Sequence, residues 1–196
     1  MCIRDSSEGL FETFTDETGI TVEQLSLGDT GQLISSSILT KENPIGDVLF
    51  GVDNTFLSRA LDADIFSPYV SSLNSKIIDG LIYEESGHVT PIDYGHVCVN
   101  YWKSSFSDSL PPPSSINDLL DPTYASLLVV QNPETSSPGL AFLLASISHF
   151  GSNWKNFWKL LTQNGVSVTN DWESSYYGEF VAGGGKKSLV VSYASS

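Results

Sequence analysis

Basic side chains are scarce in this chain. Nine lysines and arginines stand against 23 aspartates and glutamates over 196 residues, a formal net charge of −14. Such a chain has no cationic patch to displace counterions from phosphates, which argues against a nucleic-acid binder and disfavours docking on anionic lipid. The same charge is compatible with a cationic ligand. Cysteine is scarcer still, with Cys2 and Cys98 only. Cys98 lies between Val97 and Val99 and reads as a buried thiol, so no disulfide framework is expected. Three histidines, His88, His96 and His149, form no Cys/His cluster, and no zinc site can be read. No apolar run approaches the roughly eighteen residues of a membrane span.

What is present belongs to a folded protein. Hydrophobic residues make up 40% of the chain and aromatic residues 11%, and the length allows one domain or two small lobes. Met1-Cys2-Ile3-Arg4-Asp5-Ser6 runs straight into a helical pattern, with neither a charged-then-apolar leader nor a first strand. These six residues read as foreign to the native protein. The chain also stops just beyond its last strand pattern, Ser188 to Tyr193, so both ends read as cut.

The most informative stretch runs from Leu127 to Ile147. Leu127 to Val130 is short and aliphatic, as a buried strand requires. Asn132-Pro133 breaks it. Thr135, Ser136 and Ser137 supply candidate N-cap hydroxyls, Pro138 suits a first helical turn, and Leu140, Leu143, Leu144 and Ile147 recur at helical spacing. A strand thus ends in a small, hydroxyl-rich turn that opens a helix. Such a turn brings unpaired N–H groups and the positive end of a helix dipole to one point, although the same pattern also fits a well-capped helix and nothing more.

Upstream, Leu10, Phe11 and Phe14 form an apolar helical stripe that Gly19 ends. Ile20 to Leu25 and Asp47 to Phe50 read as strands. Helices are expected over Gly28 to Lys41, with Leu33, Ile34, Ile38 and Leu39 inward, and over Thr55 to Ala60. Downstream, His96 to Tyr101 is a strand, Ile116 to Leu120 a helix, and Asn153 to Leu161 a helix whose Trp154, Phe157 and Trp158 face a core. Val166 to Thr169 is a strand, and a helix runs from Asp171 to about Ala182. The alternation predicts an α/β protein with parallel sheet in two lobes, residues 7–92 and 96–191, joined by crossover segments at 93–95 and 192–196.

Several expected strand ends carry residues that do not suit a core: Asp53-Asn54, Asp93-Tyr94, Thr135-Ser136-Ser137, Asp171-Trp172 and Tyr193. Ligands bind at the carboxyl ends of strands in open parallel sheets. Carboxylates and aromatic faces favour a flat or cationic organic ligand, and the hydroxyl-rich helix start favours an anionic group at its other end.

These residues also carry a resemblance. Gly51-Val52-Asp53-Asn54, Pro91-Ile92-Asp93-Tyr94-Gly95, the Gln131 to Leu140 run (Gln-Asn-Pro-Glu-Thr-Ser-Ser-Pro-Gly-Leu), Val168 to Glu173 and Val191-Ser192-Tyr193 occur in the order and approximate spacing of the thiamine-binding subunit of thiamine ABC transporters. The chain resembles that family after about Ser7. The resemblance implies a type II periplasmic-binding-protein fold, incomplete at both ends, that closes on thiamine or its phosphates and delivers it to an ABC permease. It implies a monomeric, periplasmic or extracytoplasmic protein that needs no cofactor and is not an enzyme. Carried over, Ser136 contacts the ligand near its phosphate or hydroxyethyl end with Ser137 and Gly139 beside it. Trp172 is a cleft aromatic, Asp53 and Asn54 hydrogen-bond the ligand from the first lobe, and Tyr193 faces the cleft from the crossover strand. With Asp93 and Tyr94 these are the expected ligand-binding residues. The family has a signal peptide and a first strand where Met1 to Ser6 stand here, and it continues beyond Ser196 with further aromatic residues.

Three other readings are weighed. A ferric-iron or organic-anion binder of the same fold would draw on Tyr176 and Tyr177, of which one is more simply core. A hydrolase would pair Ser136 or Ser137 with a histidine, but no Gly-x-Ser-x-Gly elbow is present and His149 lies more than two turns from Ser137. A ligand-sensing regulator would need a helix-turn-helix or basic stretch, and none is visible.

Overall fold

The computed structural model describes residues 8–196, so the expectation for Met1 to Ser6 and the Cys2 thiol fall outside the described residues. Among the described residues, six α-helices and four strands follow in chain order. Helices α1 (Glu8–Thr18), α2 (Thr30–Leu39) and α3 (Leu57–Asp62) come first, and among the described residues no strand precedes Val97. Then come β1 (Val97–Tyr101), α4 (Pro122–Leu127), β2 (Leu128–Gln131), α5 (Ser137–Phe150), α6 (Trp154–Gln163), β3 (Ser167–Thr169) and β4 (Leu189–Tyr193). A π-helical turn, Ser174–Glu179, separates β3 from β4.

The four strands make one sheet in the order β1-β4-β2-β3. β2 runs parallel to both β3 and β4, and β1 pairs antiparallel with β4. The expected all-parallel arrangement therefore holds for the inner strands and fails at the β1 edge. Every residue of β2 is buried, as a central strand covered on both faces requires.

The pleat divides the sheet into two faces. Leu128 and Val130 of β2 and Leu189 and Val191 of β4 face α5 and α6, where they join Phe142, Phe157 and Leu161 in the main core. Phe157 lies almost parallel to Phe150, with ring centroids 4.5 Å apart. Trp158 is half-buried at the rim and donates from Nε1 to Ser146 Oγ at 2.8 Å. Val129 and Val190 point to the opposite face, under Phe180 and Tyr176 of the π-turn. A third cluster, Ile34, Phe56 and Ala60, packs with Val52, Ile65, Phe66 and Leu140. Leu140 belongs to α5, so the first segment's core is closed by a residue of the second.

Several expectations are corrected. Residues 20–25 and 47–50 form no strand, because no neighbouring strand exchanges ladder bonds with them among the described residues. The inward face of α2 is narrower than expected: Ile34 is buried, whereas Ile38 and Leu39 are exposed, Leu39 to 85%. Phe14 of α1 is exposed as well. Residues 118–120 make a single 3₁₀ turn in place of a helix. The helix expected to reach Ala182 becomes a π-turn that ends at Glu179. Cys98 is exposed, not buried. It alternates with Val97 and Val99, which pack on the main core, and so points to the other face at the β1 edge of the sheet.

Phe157→Ala should cost about 3–5 kcal/mol, the usual range for emptying a fully buried aromatic position. Urea denaturation followed by far-UV circular dichroism measures it, and a loss under 1 kcal/mol, roughly the scale of a surface substitution, would contradict the core described.

Candidate functional site

The carboxyl end of β2 positions the site. Gln131, its last residue, is completely buried, and its Nε2 donates to Val191 O on β4 at 2.8 Å and to Ser175 Oγ in the π-turn. Asn132 N–H extends the ladder to Thr169 O at 2.8 Å. The Asn132 side chain then turns the chain, because its Oδ1 accepts from Glu134 N at 3.0 Å. Asn132 O accepts from Ser136 N at 3.0 Å, and Ser136 O receives Leu140 N at 2.9 Å, which starts α5. The strand–turn–helix read from the sequence is therefore present.

Its hydroxyls are occupied differently from the expectation. Ser136, Ser137 and Gly139 are all buried. Thr135 Oγ1 donates to Asn170 O, and Ser137 Oγ donates to Thr30 Oγ1 at 2.8 Å. Thr30 Oγ1 donates onward to Gly51 O at 2.8 Å. Ser136 Oγ, fully buried, faces the Asp29 carboxylate but closes no hydrogen bond of ordinary geometry among the described residues.

Burial comes from the first turn of α2, which docks on this turn. Gly31 N donates to Thr135 O at 2.9 Å. A Cβ at Gly31 would lie 2.4 Å from Glu134 O, and one at Gly139 would lie 2.4 Å from Gln131 O. Both positions therefore require glycine for close backbone approach, not for an unusual φ. Asp29, the N-cap of α2, accepts Trp172 N–H at 2.8 Å through Oδ2, while Gln32 Oε1 accepts Asp29 N at 3.3 Å. Burial pushes the Asp29 carboxyl above the usual aspartate range. The Ser136 hydroxyl and the Trp172 amide oppose that shift, and Asp171 and Glu173 add to it.

Trp172 is 8% exposed. Its indole Nε1 donates to Ser192 Oγ at 2.8 Å, and its ring stacks on Tyr176 with centroids 4.9 Å apart and planes at 19°. Tyr177 meets both rings edge-on and is itself exposed. Of the two tyrosines, Tyr176 is thus the packed one. An open groove of about 560 Å³ adjoins this junction, lined by Gly31, Ser35, Phe56, Arg59, Glu134 and Thr135.

The expected residues divide into those the structure brings together and those it leaves apart. Ser136, Ser137 and the Trp172 amide meet at the α2 end, while Gly139 lies against the Gln131 carbonyl. Asp53 caps the turn into α3, its Oδ1 accepting from Thr55 N at 3.1 Å and Phe56 N at 3.2 Å, and its neighbour Asn54 is exposed. That segment approaches the junction through the Thr30–Gly51 bond. Asp93 and Tyr94 lie exposed in irregular chain. Tyr193 is half-buried at the end of β4, its carbonyl receiving Asn100 Nδ2 at 3.0 Å. Sequence reasoning missed Asp29, Gly31 and Gln131. The capping pair Asp29 and Gln32 was the available signal for the first. Among the described residues no group of three or more His, Cys, Asp or Glu side chains is placed to hold a metal ion, and no helix is long and apolar enough to cross a membrane.

Residues 43–196 match the family model of bacterial extracellular solute-binding proteins. The thiamine-binding periplasmic protein of Salmonella typhimurium is 29% identical over 186 residues, 94% of this chain and 54% of its own length. A solved periplasmic thiamin binding protein superposes with a TM-score of 0.81 at 27% identity, covering 95% of this chain and 56% of that one. The ferric binding protein from Campylobacter jejuni gives a TM-score of 0.71 at 18% identity, covering 97% and 59%, a likeness of fold alone. The chain spans about half the length of the curated relatives it matches.

Gly139→Ala should destabilise the protein by about 1–3 kcal/mol, since its methyl group meets the fixed carbonyl of Gln131. A thermal melt measures the cost. An unchanged melting temperature would show that α5 does not sit on the end of β2 as described.

Proposed function

Because the chain belongs to the bacterial extracellular solute-binding protein family, we propose that it captures thiamine or a thiamine phosphate at the junction of the α2 end, the Thr135–Gly139 turn and the Trp172–Tyr176 pair. The observation that carries this reading is the meeting of Ser136, Ser137 and the Trp172 amide at the α2 end, in a chain similar to thiamine-binding periplasmic proteins along nearly all of its length. The thiazolium end of such a solute is cationic and planar, which suits a chain with a formal charge of −14 and an aromatic pair at the site.

In this reading residues 7–92 and 96–191 are lobes that open and close about the crossover segments, and the solute enters between them. Ser136, with its buried hydroxyl, and Ser137 and Gly139 receive one end of the solute. Trp172 bounds the cleft, and Asp53, Asn54, Asp93, Tyr94 and Tyr193 come to it from the surrounding segments as the lobes close. The protein works outside the cytoplasm as a monomer, needs no cofactor, catalyses nothing, and hands the solute to an ABC permease. A ferric reading of the fold is the weaker one, because Tyr176 lies flat on Trp172 while Tyr177 stands perpendicular to it.

Calorimetric titration with thiamine tests the proposal, using this chain and one lengthened to match its relatives. Thiamine should bind, and Ser136→Ala and Trp172→Phe should each weaken binding about tenfold, the scale of one lost site contact. Folded proteins of both lengths that ignore thiamine and its phosphates would overturn the ligand assignment.

A further inference from the structure

We propose that the groove between α2, α3 and the Glu134–Thr135 turn holds the phosphoryl group of a phosphate monoester, with Arg59 as its anchor. Applied to thiamine, which rests on the function proposed above, this makes the monophosphate the preferred form of the solute.

The turn that begins α5 offers an incoming anion few free protons. Ser136 Oγ is fully buried, Ser137 Oγ donates to Thr30 Oγ1, and Thr135 Oγ1 donates to Asn170 O. A hydroxyl has one proton to give, and two of these three are already engaged inside the protein. An anionic group on the solute therefore needs donors elsewhere on the rim of the junction.

The groove supplies them. Its volume of about 560 Å³ is ample for a small organic solute, and Ser35, Ser36 and Arg59 line it together with Phe56, Glu134 and Thr135. Arg59 is the one arginine among the described residues, in a chain with a formal charge of −14. Its Nη2 donates to Ser35 Oγ at 2.9 Å, and Ser35 Oγ donates in turn to Gly31 O at 2.6 Å. The hydroxyl thus aims the guanidinium from the side of α2. No carboxylate of the described residues stands within ion-pair distance of Arg59, although Lys41 nearby pairs with Asp64 at 3.3 Å. Acidic side chains are abundant here, so an arginine whose partner is a neutral hydroxyl keeps its charge uncompensated at the groove. A guanidinium carries five N–H donors in a planar fork that matches two oxygens of a phosphoryl group, and Ser35 takes one of them.

Glu134 is the one carboxylate that lines the groove, and Arg59 is the one cation. A guanidinium from α3, a carboxylate from the turn and an aromatic ring suit a solute that carries both charges. A thiamine phosphate does so, with a flat cationic thiazolium and an anionic monoester. Thiamine itself leaves Arg59 without a counter-charge.

Calorimetric titration of this chain with thiamine and with thiamine monophosphate, in one buffer, gives the ratio of the two affinities. The monophosphate should bind about tenfold tighter, the scale of a charge-assisted hydrogen bond. Arg59→Gln should abolish that preference. Arg59→Lys, which keeps the charge and loses the fork, should retain part of it, and Glu134→Gln should widen it. Both side chains are exposed, so the variants should fold. A second titration separates the groove from the choice of solute. Phenyl phosphate, a monoester without the rings of thiamine, should shift the Ser35, Ser36 and Arg59 amide resonances of the wild type saturably, and should leave them unmoved in Arg59→Gln. Equal affinities for thiamine and its monophosphate, or a preference that survives in Arg59→Gln, would overturn the phosphoryl subsite and leave the thiamine reading standing. If neither thiamine compound binds while phenyl phosphate gives the shifts, the thiamine reading fails and the subsite stands. Binding of none of the three overturns both.

Discussion

Backbone lies directly on backbone at the carboxyl end of β2, and the other features of the site depend on that approach. Gly139 brings the first turn of α5 over Gln131 O, and Gly31 brings the first turn of α2 against Glu134 and Thr135. Neither glycine has a positive φ. Each is required because a Cβ would stand 2.4 Å from a carbonyl oxygen that the strand or the turn already fixes. Two helix N-termini thereby converge within a few ångströms, and the polar groups between them must be satisfied in a small, half-buried space. The Ser137–Thr30–Gly51 relay and the Asp29–Trp172 bond are how that space is filled.

The same convergence sets the electrostatics. Two helix N-termini favour negative charge, and the chain supplies it from within, as the Asp29 carboxylate. In water such a carboxylate would be unremarked. Beside the buried Ser136 hydroxyl, with Asp171 and Glu173 near, its charge is costly and its protonation responds to whatever changes the local hydration. The sheet contributes a second constraint from its far face. Gln131 and Ser192 replace apolar residues at the positions under the π-turn, and they hold Ser175 and Trp172 there through hydrogen bonds. The Trp172–Tyr176 stack is therefore fixed by polar anchors and not by hydrophobic packing alone.

Much of the second half was legible because its elements are locally consistent. β2 is an aliphatic run bounded by Asn132-Pro133, α5 starts at hydroxyls and a proline, and α6 carries Trp154, Phe157 and Trp158 at helical spacing. The first half was misread where local pattern asked for a partner. Ile20 to Leu25 and Asp47 to Phe50 alternate as strands do, yet a strand exists only as half of a ladder, and Val48 is 89% exposed. Cys98 was misread for a related reason. An apolar pair of neighbours marks a strand but does not say which face is covered, and the cover over β4 and β2 does not extend to β1.

The sequence by itself determined the α/β class, the strand–turn–helix at Gln131 to Leu140, and the resemblance to a solute-binding family. Each is a property of adjacent residues or of their order along the chain. Only the tertiary structure decided that the turn's hydroxyls are bonded within the protein, that Trp172 lies flat on Tyr176, and that Asp29 reaches Trp172 across 143 positions. Contacts over that separation depend on where the chain returns, which is set by packing of the sheet and its helices. No local propensity encodes it.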